Sequence, residues 1–333
     1  MVTTGNAAAD RVLLALLTMQ RESWEQGILG QALLDLGLDE AAVLVADAAV
    51  TRQRPDGRLG ETAGSVGAVN GAACGEVVRH AARSTGDPRY AVALDAQLDW
   101  LTRRAPRAAD GTLFHLLDGR QVWADTVYMV VPLLALTGHA GPAAAQVAGH
   151  RERLYDSRTG LYAARWDEDR GELDRPEPWG TGNGWVVAGI ARALRLAPDW
   201  PGPLRAELAG HAEEVLTACL AYRGADGLFP DMLDDPGAFR EANTAQLLAY
   251  AALTGVADGW LPRSWYDVGA ELLAAAGRRV DGYGRVTDVS GAPDFAGPGT
   301  SPEAQACHLL GHAALRRAAL SPGLAQPRMS PRT

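Results

Sequence analysis

The segment Trp123-Ala124-Asp125-Thr126-Val127-Tyr128-Met129-Val130-Val131-Pro132 places one carboxylate between two aromatic residues, at the head of a strongly apolar run. Such a run predicts a helix that is buried on all sides. An acid in the first turn of a helix can cap its free N–H groups and stabilise it by about 0.3–1 kcal/mol. In a partly desolvated aromatic setting, an acid can instead donate a proton in catalysis. Asp125 is therefore either a capping residue or a catalytic acid.

Apolar helices of this kind recur along the chain. They begin near residues 23, 66, 123, 182, 241 and 301, so the later steps are all close to 60 residues. Amphipathic, charged helices alternate with them, which is typical of an outer layer packed on an inner one. The patterns predict twelve helices, over 6–20, 23–36, 39–54, 66–85, 89–104, 123–138, 140–155, 183–197, 203–222, 241–255, 262–279 and 301–319.

The connections between these helices are of two lengths. An inner helix leads to the next outer helix through a short loop, as at 37–39, whereas the return connections are long and contain turn motifs such as Asp110-Gly111. Six helical hairpins at a fixed period predict an all-α fold, an (α/α)6 barrel with short β-hairpins in the long loops at its mouth. We expect residues 1–320 to form this barrel as a single catalytic domain, followed by a disordered tail over 321–333.

The composition excludes several classes of function. The net charge of −9 argues against nucleic acid or an anionic membrane as a partner. All basic residues are arginine, so a Schiff-base lysine, a pyridoxal-phosphate anchor and a P-loop lysine are excluded. No secretory signal and no membrane-spanning run is found, which predicts a soluble cytoplasmic protein.

The cysteines and histidines indicate neither a metal nor another cofactor. Cys74, Cys219 and Cys307 are widely spaced within apolar helical patterns, which is typical of buried free thiols. The seven histidines are scattered along the chain, and we interpret them as non-ligating.

In an (α/α)6 barrel the inner helices run parallel, so their N-termini and the long loops meet at one mouth. Capping explains acids and amides at these positions but not tryptophans, and five of the nine tryptophans lie in mouth segments. Flat aromatic side chains beside carboxylates and amides suit a sugar ring, which favours catalysis for Asp125. The predicted substrate-binding residues are Trp24, Asn70, Trp123, Tyr128, Trp166, Trp179, Thr181, Asn183, Trp185, Glu241, Asn243 and Glu303.

At these residues the sequence resembles the unsaturated glucuronyl and rhamnogalacturonyl hydrolases, glycoside hydrolase families 88 and 105. The resemblance runs from about Arg21 to His312 and is sharpest over 123–132 and Trp179-Gly180-Thr181-Gly182-Asn183-Gly184-Trp185. It implies an (α/α)6 barrel that acts on the 4,5-unsaturated uronic acid at the non-reducing end of an oligosaccharide or glycoside. It also implies that an acid protonates C4, water adds at C5, and the resulting hemiketal opens and expels the aglycone. Asp125 aligns with the acid/base of these families.

Three positions depart from the pattern of these families. Asn70 stands in place of a second aspartate, Thr181 in place of an arginine and Ala164 in place of a histidine. Asparagine can orient a hydroxyl group or water, but it cannot raise a neighbouring acid's pKa by charge repulsion. Loss of the arginine removes a candidate carboxylate clamp, for which Arg165 and Arg240 are candidate replacements.

Two other functions stay open at the level of the sequence. One is an inverting glycosidase acting on saturated sugars, which would pair Asp125 with Glu241 or Glu303 at a carboxylate separation of roughly 6.5–9.5 Å. The other is a carbohydrate-binding protein that has lost activity, for which the three departures argue. The sequence does not predict the oligomeric state.

Overall fold

The computed structural model describes residues 3–321. Apart from Ser321, the predicted disordered tail lies outside the described residues. The α-helices within this range are α1 (Ala7–Met19), α2 (Ser23–Leu36), α3 (Asp39–Thr51), α4 (Gly75–Thr85), α5 (Pro88–Asp99), α6 (Thr126–Leu136), α7 (Ala140–Leu154), α8 (Gly180–Leu196), α9 (Gly202–Leu220), α10 (Ala242–Ala257), α11 (Trp265–Gly277) and α12 (Pro302–Leu320).

The even-numbered helices form a closed inner ring. Each contacts the next in the order α2, α4, α6, α8, α10 and α12, and α12 packs back against α2. The odd-numbered helices form the outer layer, with α3, α5, α7, α9 and α11 each packed on the inner helix that precedes it and α1 packed on α12. This arrangement confirms the predicted (α/α)6 barrel. That residues 1–320 form a single domain stays a prediction.

The inner helices are apolar because they are enclosed by neighbours on every side. In α6 every residue from Thr126 to Ala135 is buried. Close approach also depends on small residues, since a Cβ atom added at Gly189 of α8 would lie 2.8 Å from the Cα atom of Tyr128 in α6. No helix within residues 3–321 is long and apolar enough to cross a lipid bilayer.

Several predicted helix starts lie a few residues from the observed ones, and two of these differences shape the mouth. The helix predicted over 66–85 begins with a 3-10 turn at Asn70–Cys74 before α4. The helix predicted over 123–138 begins only at Thr126, because Gln121–Trp123 is drawn into a β-sheet. In both cases the residues before the helix are paired with another loop: the Ala68 N–H donates to the carbonyl of His115, and β1 pairs with β4. This pairing prevents either helix from extending further toward its N-terminus.

The long connections carry short antiparallel strands, as predicted. The largest sheet has the order β1-β4-β5, and its first two strands pair Trp123 with Arg165. The remaining strands form three two-stranded ladders. The strands are β1 (Gln121–Trp123), β2 (Tyr155–Asp156), β3 (Leu161–Tyr162), β4 (Arg165–Asp167), β5 (Glu172–Arg175), β6 (Phe229–Pro230), β7 (Arg240–Glu241), β8 (Val289–Ser290) and β9 (Pro298–Gly299).

A buried ionic network fills the barrel toward the C-terminal ends of the inner helices. Arg192 of α8 is fully buried and donates to both carboxylate oxygens of Glu76 at 2.7 and 2.8 Å, and to Tyr250 Oη at 2.9 Å. Burial alone would raise the pKa of Asp35, but Arg192, Arg195 and Arg317 hold it well below its usual value. The network joins five inner helices and leaves the mouth as the open end.

Candidate active site

A cavity of about 540 Å³ lies at the mouth, enclosed by the N-terminal ends of the inner helices and the long loops. This volume is in the range of small-molecule binding sites. The structure brings together seven of the thirteen predicted site residues. Those that line the cavity are Trp24, Asn70, Trp123, Asp125, Trp179, Trp185 and Glu303.

Asp125 occupies the N-cap position of α6, but its side chain makes no capping hydrogen bond. Its side chain is 14% exposed, and its Oδ1 atom is buried without a hydrogen-bond partner. His115 Nδ1 lies 3.5 Å from this oxygen, which is long for a hydrogen bond. A buried carboxylate oxygen without a partner, facing a cavity, is an arrangement suited to a ligand. The structure thus gives no support to the capping interpretation of Asp125.

His115 supports the aromatic wall beside the acid, and the sequence analysis did not single it out. Its ring stacks on Trp123 with centroids 4.6 Å apart and an interplanar angle of 8°. Its Nδ1 atom is hydrogen-bonded to Thr126 Oγ1 at 2.9 Å. Its backbone N–H donates to the carbonyl of Gln121 at the start of β1. A lone histidine in a loop gives no recognisable motif, so only the pairing of the loop reveals it.

Asn70 presents a second oxygen atom without a partner. It opens the 3-10 turn before α4, is 7% exposed, and its Oδ1 atom is buried without a hydrogen bond. Asn70 and Asp125 therefore expose one buried acceptor each in the same cavity, and a polar ligand or water would satisfy both.

Glu303 lines the cavity from the first turn of α12. Ser301 supplies the cap of this helix, since its Oγ accepts from the Ala304 N–H at 3.3 Å, so Glu303 is not needed for capping. Burial raises the pKa of Glu303 to about 8, and the neighbouring charges of Glu25, Glu241 and Asp125 act in the same direction. Glu303 is therefore mainly protonated at neutral pH and can donate a hydrogen bond into the cavity.

Glu241 does not line the cavity and has become part of the scaffold. It is fully buried at the N-cap of α10, where Oε1 accepts from the Asn243 N–H at 2.9 Å. Its Oε2 atom accepts from the Ser290 N–H at 2.7 Å and lies 3.1 Å from Ser290 Oγ. Burial raises the pKa of Glu241 to about 8, and the bonds from Asn243 and Ser290 offset part of that rise. Glu241 therefore caps a helix and anchors the loop at β8.

The other predicted contacts also lie behind the cavity wall, because a packed inner helix turns only a narrow stripe toward the mouth. Their partners are protein groups: Tyr128 donates to Gln31 Oε1, Thr181 pairs with Thr244, Asn183 binds the backbone of Tyr162, Asn243 accepts from Gln246 Nε2, and Trp166 donates to Glu168. Trp166 points away because successive side chains of a strand alternate between faces, and its neighbour Arg165 faces the cavity.

The two candidate clamp arginines are in different places. Arg165 lines the cavity, whereas Arg240 does not and forms an ion pair with Asp226 at 2.7 Å. The lining also includes residues that were not among the predicted binding residues, most of them in loops. These further residues are Glu22, Gly64, Ser65, Val66, Gly67, Leu116, Met129, Ala164, Arg175, Asp231, Met232, Ser290, Asp294 and Phe295.

Two of the seven histidines lie close together in α12. His308 and His312 have the i, i+4 spacing that can hold a metal on a helix, so the histidines are not all scattered. Their Nε2 atoms lie 3.1 Å apart and are hydrogen-bonded to each other, and His308 Nδ1 pairs with Gln246. Within residues 3–321 no group of three or more His, Cys, Asp or Glu side chains could hold a metal ion.

Comparison with known proteins connects this site to a family. The sequence profile of Glycosyl Hydrolase Family 88 matches residues 17–294. The unsaturated rhamnogalacturonyl hydrolase YesR of Bacillus subtilis (strain 168) is 27% identical over 235 residues, which is 67% of this chain and 66%, just under two thirds, of that relative.

Solved structures share the fold. A possible member of the GH105 family from Klebsiella pneumoniae has a TM-score of 0.81 at 20% identity, covering 93% of this chain and 92% of that one. The unsaturated glucuronyl hydrolase from Bacillus sp. GL1 has a TM-score of 0.68 at 15% identity, covering 95% and 96%. The match of the profile to most of the sequence, together with the shared barrel, shows that this chain belongs to Glycosyl Hydrolase Family 88.

Proposed function

We propose that this protein hydrolyses unsaturated uronyl glycosides, with Asp125 as the acid that protonates the 4,5 double bond. The observation that carries the proposal is the state of Asp125: it faces the cavity, makes no capping bond and has a buried oxygen without a partner. A group that first donates and then accepts a proton needs a carboxylate oxygen that is free to reach the substrate.

The proposed reaction begins with transfer of the Asp125 proton to C4 of the enol ether. Positive charge then develops at C5 and the ring oxygen, and water attacks C5 while giving its proton to the Asp125 carboxylate. The product is a hemiketal at C5. It opens to a ketone and frees the former ring oxygen as a C1 hemiacetal, which collapses to an aldehyde and releases the aglycone as an alcohol. Overall one water is consumed, and Asp125 returns to its protonated form.

Other lining residues have supporting roles in this proposal. The free Oδ1 atom of Asn70 can accept a hydrogen bond from the attacking water or a sugar hydroxyl. Glu303, mainly neutral at pH 7, can donate to a sugar oxygen without adding negative charge beside Asp125. Trp24 and Trp179 supply apolar surface for the sugar ring.

Family membership supports the substrate class. The matching relative from Bacillus subtilis is an unsaturated rhamnogalacturonyl hydrolase, and a solved barrel of the same fold is an unsaturated glucuronyl hydrolase specific for heparin. Both names describe removal of an unsaturated uronyl sugar, which is the chemistry proposed here for Asp125.

The experiment is an assay on 4,5-unsaturated disaccharides prepared with polysaccharide lyases. Wild type should abolish the ultraviolet absorbance of the conjugated double bond and release the aglycone sugar. Asp125→Asn should retain the fold and lose this activity. Unchanged absorbance with wild type on glucuronyl, galacturonyl and rhamnogalacturonyl substrates would overturn the proposal.

A second candidate function rests on Glu303. Because Asp125 and Glu303 both line the cavity and Glu303 is mainly protonated at neutral pH, the pair could serve as base and acid of an inverting glycosidase. Glu241 is excluded from that role by its burial and its three scaffold contacts. Hydrolysis of a saturated glycoside with inversion at C1, followed by NMR, would favour this function over hydration of a double bond.

A further inference from the structure

The β4–β5 hairpin carries two arginines on the cavity wall. Arg165 and Arg175 are cross-strand partners in the sheet, and both line the cavity. Like charges directly opposite each other on a sheet destabilise it. An anionic group bound between them would relieve this repulsion.

Both guanidinium groups keep unused donors. Nε of Arg165 forms an ion pair with Asp174 at 2.5 Å, and Nε of Arg175 donates to Glu177 at 3.3 Å. Within residues 3–321 the terminal nitrogens of these two arginines make no hydrogen bond to another protein group. Terminal guanidinium nitrogens form the planar fork that binds carboxylates and similar anions in a bidentate manner.

Arg165 is held close to the catalytic segment. Its guanidinium carbon lies 5.3 Å from the ring centroid of Trp123, which is within cation–π distance. Trp123 pairs with Arg165 across the sheet and precedes Asp125 by two residues. The side chain is 26% exposed, so it is partly desolvated yet open to the cavity. An anion bound there would therefore be placed near Asp125.

Among the described residues, no arginine other than Arg165 and Arg175 lines the cavity where it could bind an anion. Thr181, which stands where the resembling families have an arginine, is 1% exposed and pairs with Thr244 at 3.3 Å behind the wall. Arg165 and Arg175 are the two arginines among the lining residues within 3–321, beside His115. The acidic lining residues are Glu22, Asp125, Asp231, Asp294 and Glu303. In such an acidic cavity, these two side chains are the lining groups that can offset the negative charge of an anionic substrate.

We propose that Arg165 and Arg175 form an anion-binding subsite that holds an anionic oxygen group of the substrate. The group is the carboxylate of the unsaturated sugar or an anionic group on the adjacent sugar. This inference rests on the proposed function, because it identifies what the same cavity recognises in its substrate.

The test compares Arg165→Met and Arg175→Met with wild type on substrates of known charge. The first pair of substrates is an unsaturated uronide with a neutral aglycone and its methyl ester. The second pair is the methyl ester linked to a neutral or to a carboxylated aglycone. If the sugar carboxylate is bound, kcat/KM should fall about 10-fold or more for the free acid and less than about 2-fold for the ester. If the subsite instead binds an anionic group on the adjacent sugar, kcat/KM should fall by a similar factor for the carboxylated aglycone and change little for the neutral one.

Two further variants control this test. Arg165→Lys keeps the charge but loses the fork, so its loss should lie between wild type and Arg165→Met. Arg240→Met removes an arginine of similar exposure that is paired with Asp226 outside the cavity, and it should leave the charge preference unchanged. Equal losses on charged and neutral substrates, or no loss, in both methionine variants would overturn the subsite.

Binding measurements separate this proposal from the proposed reaction. In an Asp125→Asn background, calorimetry with the unsaturated uronide should show weaker binding when Arg165→Met is added. Charge-dependent binding without turnover by wild type would support the subsite and refute the reaction. Turnover without any charge preference in either pair would support the reaction and refute the subsite.

Discussion

The N-termini of α6 and α10 carry comparable acids in opposite states. Asp125 and Glu241 both occupy the N-cap position of an inner helix at the mouth. Glu241 is fully buried and accepts hydrogen bonds from Asn243 and Ser290. Asp125 is partly open to the cavity, with one oxygen unpartnered. The same position in the repeat thus supports stability in one helix and chemistry in the other.

The loops that reach each helix cause this difference. The β8 loop brings Ser290 onto Glu241 and covers it. At α6 the β1–β4 pairing holds Trp123 to one side, and His115 stacks on Trp123 and is hydrogen-bonded to Thr126. His115 Nδ1 lies 3.5 Å from Asp125 Oδ1, too far for a good hydrogen bond. Whether an acid at a helix N-terminus has a structural or a catalytic role therefore depends on whether a loop donates hydrogen bonds to its carboxylate oxygens.

The largest expected effect is on turnover by Asp125→Asn. Loss of a general acid typically lowers the rate by about 10²–10⁴-fold. Because the side chain makes no capping bond, the unfolding free energy should change by less than about 1 kcal/mol. The measurements are absorbance loss on an unsaturated disaccharide and urea unfolding. Full activity in the folded variant would break the comparison, and so would a variant that fails to fold.

Glu241→Ala should show the reverse behaviour in stability. It removes a cap and leaves the buried N–H groups of Asn243 and Ser290 without acceptors, so the unfolding free energy should fall by about 2–4 kcal/mol. Asp125→Ala is the matched control and should lose less than about 1 kcal/mol. Equal losses in the two variants, measured by urea unfolding, would show that the two acids do not differ as described.

The pH dependence of stability should sharpen the comparison. The pKa values of Glu241 and Glu303 are raised from 4.5 to about 8 in the folded protein. Between these values the folded state binds more protons than the unfolded state. The stabilisation of the folded state by protonated Glu241 and Glu303 is therefore complete below pH about 4.5 and is lost as the pH rises through about 8.

Thermal unfolding followed from pH 5 to pH 9 is the measurement for this prediction. Each unit of raised pKa corresponds to roughly 1.4 kcal/mol of unfolding free energy. Glu241→Gln and Glu303→Gln should each flatten the decline. A stability that rises over this interval in wild type, with no change in the glutamine variants, would contradict the assignment.

The smallest expected effect separates a tryptophan that lines the cavity from one that does not. Trp179 lines the cavity, and Trp166 on the other face of β4 does not. Trp179→Ala should weaken sugar binding by about 0.5–2 kcal/mol through lost stacking and burial. Trp166→Ala should leave binding nearly unchanged. Calorimetry in an Asp125→Asn background measures both, and equal values would place Trp179 outside the site.

The sequence by itself determined the barrel and the end of it that carries the site. The period near 60 residues and the apolar inner helices predicted the six hairpins, and twelve helices occur within residues 3–321 close to the predicted positions. This was predictable because a helix enclosed by neighbours must be apolar on nearly all faces, which is a local property of its sequence. The same period placed Asp125 and Trp123 at the mouth.

Only the tertiary structure decided which mouth residues face the cavity. Asn183 and Thr181 share a short motif with Trp185, yet only Trp185 lines the cavity. His115 and Asp231 join the lining from loops far apart in the chain. The sequence records that these residues are polar or aromatic but not the path of the loops, because that path depends on cross-strand pairing and hydrogen bonds between distant segments. The contacts that occupy Glu241 and leave Asp125 unpartnered are of this kind, and they distinguish the two acids.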